Sequence, residues 1–155
     1  MEQEKFNEFK LKVLKRVTDQ FLLRKNIMPT LYFVNNLGAR KIMEIPTKFL
    51  NSKNMKQILS EILSEMLSSV KAQASCVVFE GWMVVASSDD DIDTDIRPSQ
   101  HPDKQEVITF SFECKDCEAE MITLINKDGN LTPLKVNEGG GVASHSAGIF
   151  QNILK

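Results

Sequence analysis

The run Cys76-Val-Val-Phe-Glu80-Gly-Trp-Met-Val-Val-Ala-Ser87 decides how this chain folds. It is nearly continuous in apolar side chains, as expected of a strand covered on both faces. At a period of two, Val77, Phe79, Gly81, Met83 and Val85 share one face. Val78, Glu80, Trp82, Val84 and Ala86 share the other. Glu80 is therefore a carboxylate in an apolar row and needs a partner. Gly81 beside it predicts a bulge or a close backbone approach. An acidic loop over 88–103 leads to a second strand, Val107–Glu113, which makes Cys76–Ser87 the central member of a sheet.

Towards the N-terminus, Phe6, Phe9, Val13, Val17 and Phe21 recur at steps of three and four, with Leu14 widening the stripe. That spacing predicts a helix over Glu2–Lys25 that packs on a sheet and turns a basic face to solvent, with Asn26 as its stop. Thr30–Val34 and Ala39–Ile45 flank Asn35-Asn36-Leu37-Gly38, a four-residue hairpin loop. Pro29 and Pro46 bracket the pair, outside its ladder. Met55, Ile58, Leu59, Ile62, Leu63, Met66, Leu67 and Val70 predict a second helix with a two-column core stripe, capped by Asn51 or Ser52.

Towards the C-terminus, a two-residue turn at Lys115-Asp116 pairs Cys114 with Cys117, Phe112 with Ala119, Phe110 with Met121 and Ile108 with Thr123. That register puts one apolar face together and sets Glu113 against Glu118. Asp128-Gly129 makes a further hairpin returning through Leu131–Val136, with Leu134 and Val136 on the core face. Gly139–Gly141 reads as a loop, and Ala147–Leu154 as a short amphipathic helix. The class is α+β: a mostly antiparallel sheet of five to six strands with two long helices on one face, in the order α-β-β-α-β-β-β-β-short α. Residues 1–155 form a single domain. The element order is similar to that of roadblock-type and other profilin-like folds, many of which are dimerising scaffolds.

The net charge of −2 gives no reason to expect nucleic acid as a partner. Its distribution is uneven. Residues 1–75 carry thirteen Lys/Arg against seven Asp/Glu, and residues 76–155 carry six against fourteen. The two halves either face each other within the fold or meet between subunits. No apolar run is long enough to span a bilayer, and the charged N-terminal segment has no secretory pattern. A cytoplasmic protein whose three cysteines form no disulfide framework is the expectation.

Several groupings imitate sites. Asp89, Asp91, Asp93 and Asp95 resemble the opening of a calcium loop, but the turn glycine and the closing bidentate acid of that loop are missing. A weak divalent cation is what the run offers; no other cofactor is expected. In Arg97-Pro-Ser-Gln-His101-Pro-Asp103 the two prolines bias Arg97 and His101 to extended backbone. Ser-x-His-Pro falls one histidine short of a zinc-metalloprotease core. Cys114-Lys-Asp-Cys117 has zinc-knuckle spacing without a second pair, so two small apolar core residues is the favoured reading. Ser144-His-Ser146-Ala-Gly148 lacks both the first glycine and the downstream acid and histidine of a nucleophile elbow. Glu80-Gly-Trp-Met83 followed by Arg97-Pro-Ser-x-His-Pro-Asp-x-x-Glu-Val107 resembles a pattern of uncharacterised bacterial and phage proteins, to which no activity is attached.

These residues lead to a binding or assembly module whose partner is a protein, a second copy included, rather than a membrane. Trp82, Arg97 and His101 are its binding candidates. The alternative is a metal-dependent hydrolase or nuclease in which Glu80, His101 and Asp103 act catalytically beside a cation held by Asp89, Asp91, Asp93 and Asp95, with Cys114 and Cys117 as further metal candidates.

Overall fold

The structure, a computed structural model, describes residues 1–86, 98–134, 141–144 and 153–154. Helix α1 (Gln3–Arg24) leads into the hairpin β1 (Thr30–Asn35) and β2 (Arg40–Glu44). A 3₁₀ turn (Thr47–Leu50) precedes α2 (Lys53–Ser69) and the long strand β3 (Ala72–Ala86). A second 3₁₀ turn (Pro98–Gln100) leads to β4 (Gln105–Cys114), β5 (Glu120–Lys127), β6 (Asn130–Pro133) and β7 (Gly141–Ser144). All pairings are antiparallel. The sheet runs β2-β1-β3-β4-β5-β6, and β7 pairs with β3. Met83 pairs with both Gln105 and Ser144, so β7 continues the β3 edge that β1 occupies nearer its start. Class and the order of the described elements are those the sequence predicts, apart from the added β7; most of the expected short helix over Ala147–Leu154 lies outside the described residues.

Local signals act largely as anticipated. Ser52 Oγ accepts the Met55 N–H at 3.1 Å, the side-chain cap of α2. Helix α1 closes one residue earlier than Asn26, on Lys25, whose φ of 62° is left-handed. In the first hairpin Asn35 accepts from Gly38 N and donates to Ala39 O, and Gly38 takes φ +79°. Ile45 N donates to Pro29 O at 2.8 Å, closing the hairpin beyond its last ladder pair.

The placement of the helices departs from expectation. They cover opposite faces of the sheet instead of one. Helix α1 buries Phe6, Phe9, Val13, Val17 and Phe21 against Tyr32, Val34, Cys76, Val78, Phe110 and Phe112. Helix α2 buries Leu59, Leu63 and Leu67 against Leu31, Phe33, Val77 and Phe79. The reason lies in β1 and β3, which are apolar on both sides and need a cover on each. The second column of the α2 stripe is correspondingly half-exposed, with Ile58 and Ile62 at 46 % and 47 %.

Two further corrections concern the sheet. No bulge occurs at Gly81: β3 and β4 stay in one register from Ala74↔Cys114 to Met83↔Gln105. The irregularity lies opposite Val34/Asn35, where β3 carries an extra residue between its pairings through Ala72 and Ala74. The β4–β5 register is also one residue from that expected, with Phe112↔Glu120, Phe110↔Ile122 and Ile108↔Leu124. A one-residue slip exchanges the faces of a strand. Here it sends Ile122 and Leu124 to the α1 core and leaves Met121 36 % exposed. Cys117 and Glu118 drop out of the ladder into the turn, so Glu113 does not meet Glu118.

Candidate functional site

Glu80 and His101 have separate attachments. Glu80 lies on the α1 face opposite Ile108 and accepts a hydrogen bond from the backbone N–H of Ile27, in the segment joining α1 to β1. Burial raises its carboxyl above the ordinary 4.5; the Ile27 N–H opposes the shift and Glu106 adds to it. Glu106 itself accepts from Asn126 Nδ2 at 3.2 Å. His101 is buried, and its Nδ1 accepts the Asp103 N–H at 3.0 Å. The ring lone pair on that nitrogen is therefore occupied in holding a turn, which Lys104 N closes onto His101 O at 3.2 Å. Trp82 is 39 % exposed, with Lys104 Nζ 4.6 Å from its ring centroid. Asp89, Asp91, Asp93, Asp95 and Arg97 lie outside the described residues, as do Val136 and most of Ala147–Leu154. Among the described residues no three His, Cys, Asp or Glu side chains gather as metal ligands.

Cys114 and Cys117 do come together. Their sulfurs are 2.8 Å apart across the β4–β5 turn, and both are free, half-buried thiols. Asp116 between them adopts φ 70°, which turns the chain back on itself. The Cys117 thiol also donates to Met1 O at 3.3 Å, tying the turn to the start of α1. Cys114 and Cys117 pack half-buried against the α1 core, whereas Cys76 in β3 is fully buried.

One buried acid escaped the sequence reading. Glu113 is 6 % exposed, and its two carboxylate oxygens accept the consecutive N–H groups of Ile153 (3.1 Å) and Leu154 (2.7 Å). Ile153 packs into the α2 core beside this clasp. In sequence Glu113 stood on the face of its strand opposite Ile108, Phe110 and Phe112, set against Glu118, with no signal of this role.

A groove of ≈ 730 Å³ lies between α1 and the β1–β2 hairpin. Phe9, Val13, Tyr32, Phe33 and Ile42 supply its apolar surface. Lys12, Lys15, Arg16, Arg40 and Lys41 line it as cations, against one carboxylate, Asp19. That carboxylate is engaged by Lys15 at 2.7 Å. Positions 9, 12, 13, 16 and 20 share one flank of α1 at steps of three and four. Arg40 and Ile42 reach the same side from β2, opposite Val34 and Tyr32. Burial raises the Tyr32 phenol above its usual range, while the Arg16 guanidinium beside it pulls the other way. Among the described residues β2 pairs with β1 alone, so its second edge is open alongside the groove.

Lys12 and Arg16 are visible in sequence as a basic flank of an amphipathic helix. Arg40 and Lys41 join them only because the hairpin places β2 beyond β1. Comparison of the chain with protein-family models, with curated proteins and with solved structures finds no match in any of the three.

Proposed function

We propose that the chain is a non-catalytic binding module whose groove takes an extended acidic segment of a partner protein, added as a strand along β2. The observation that carries this reading is the open β2 edge beside a cationic, apolar-floored groove. An added strand gains affinity from main-chain hydrogen bonds to an edge, and selectivity from the pockets that its alternate side chains enter. Alternate residues of such a strand would face α1, where Lys12, Arg16 and Arg40 match carboxylates and Tyr32, Val13 and Ile42 match an apolar side chain. Basic side chains on an edge strand repel another basic edge and admit an acidic one, so the same charges discourage promiscuous pairing.

The test is fluorescence anisotropy with a labelled peptide alternating Glu and Val, against the same peptide with Lys for Glu. The acidic peptide binds, and more weakly as salt rises. Arg40→Glu with Lys12→Glu weakens it by about tenfold or more, equivalent to about 1.4 kcal/mol. Light scattering on the same variants identifies the partner as a second copy if the wild-type chain dimerises and the charge reversals dissociate it. Peptide binding that ignores both salt and charge reversal, or equal binding by an oligonucleotide, overturns the reading.

A further inference from the structure

We infer that Cys114 and Cys117 form a dithiol that exchanges with small-molecule disulfides, a thiol-modification site distinct from the groove. The two sulfurs already face each other at 2.8 Å, held by a tight turn in which Asp116 has φ 70°. Disulfide formation needs this proximity and a turn that keeps it, both of which precede any oxidant. The site is half-buried, at the end of β4.

The two thiols have different parts. Cys114 lies against both Cys117 Sγ and Lys115 O, the latter at 3.1 Å. Burial and then the Cys117 contact push its thiol up to about 12, so Cys114 keeps its proton. A thiol that stays protonated is a poor attacker but hydrogen-bonds a neighbouring thiolate. The first attack therefore falls to Cys117. Its sulfur attacks one sulfur of oxidised glutathione, forms a protein–glutathione disulfide and releases one glutathione thiolate. Cys114 then attacks the Cys117 sulfur, closes the Cys114–Cys117 bond and releases the second glutathione, with the Cys114 proton passing to solvent or to the departing thiolate. In total two protein thiols are oxidised and one glutathione disulfide is reduced to two thiols.

Closure has a structural consequence. The Cys117 thiol loses the proton that it donates to Met1 O, so that one of the contacts between the turn and the N-terminus is lost, while Met1 N still donates to Lys115 O at 3.3 Å.

The experiment is intact-mass spectrometry of the folded full chain treated with oxidised glutathione. The wild-type chain loses the mass of two hydrogens and carries no adduct. Cys114→Ser stops at a single stable glutathione adduct on Cys117, whereas Cys117→Ser reacts at Cys114 slower by about tenfold or more. Cys76 stays unmodified throughout, as burial dictates. An unchanged wild-type mass, a persistent adduct on the wild-type chain, or faster reaction of Cys117→Ser than of Cys114→Ser overturns the assignment. The wild-type mass stands as a test even where a variant folds poorly.

Discussion

Replacing Glu113 by Gln probes its clasp on the backbone of Ile153 and Leu154. The carboxylate is 6 % exposed and receives two backbone N–H groups, from Ile153 at 3.1 Å and Leu154 at 2.7 Å. Glutamine retains one oxygen and turns an NH₂ group towards the other N–H, donor against donor. One hydrogen bond to a charged group, about 1.5–3 kcal/mol, is lost. Part of that is offset because a neutral amide costs less to bury than a carboxylate. The expected net loss is about 2 kcal/mol. For a chain of 155 residues each kcal/mol moves Tm by about 2–4 °C, so Tm falls by about 4–8 °C. Urea titration should show the same loss with an unchanged slope. A second background, the chain ended before Ile153, isolates the contact. There Glu113 is a buried acid without its donors, and Glu113→Gln becomes neutral or stabilising. Equal losses in the two backgrounds would refute the clasp, because a residue acting elsewhere would show no coupling to the tail.

The remaining predictions concern three other positions. Glu80 titrates above 4.5 in the folded chain, so the folded state holds its proton where the unfolded state has released it. Its contribution is greatest below 4.5, declines as pH rises through the window up to the raised value, and is flat above it. Glu80→Gln keeps an oxygen for the Ile27 N–H and removes that decline; stability-versus-pH curves that stay parallel for the two proteins would contradict the assignment. Gly38→Ala meets no atom within 4 Å of the added methyl, so its cost, about 1 kcal/mol, comes from the φ of +79° alone; Gly38→Asn should recover part of it in chemical denaturation. Lys104→Ala removes the cation over Trp82, worth about 0.5–1 kcal/mol, together with its hydrogen bond to Ser99 O, and shifts the emission of the chain's single tryptophan. Unchanged emission would show that the ring and the ammonium do not meet in solution.

Periodicity made α1, the first hairpin, α2 and the core of β3 legible, because each follows from side chains within one element. The α2 cap at Ser52 was readable for the same reason. What sequence did not reveal depends on pairing. The β4–β5 register turned on the assumption that Lys115-Asp116 alone made the turn; the observed turn also takes in Cys117 and Glu118, and one residue changed every facing pair. The near-continuous apolar run of β3 already implied two covers, yet which helix takes which face is set by Leu31 and Tyr32 pointing opposite ways on β1. Of the candidate site residues, Glu80 needed a partner and has one in Ile27 N–H, a backbone group that no side-chain pattern indicates. The groove is still less legible. Its cations come from two segments, 12–16 and 40–41, that only a folded hairpin places side by side.

The sheet that separates the two cores also sets how the molecule comes apart. Aromatic rings from α1 and β4 fill one side, with Phe9 edge-on to Phe112 at 6.3 Å and Phe110 stacked on Phe112 at 6.0 Å. Leucines from α2 fill the other. Each helix packs on its own face of the sheet, so two separate local openings are expected, with β3 common to both. The amides of β3 should then be the last to exchange with solvent, and a ligand seated between α1 and β2 would slow exchange in the aromatic layer while leaving the leucine layer as it was.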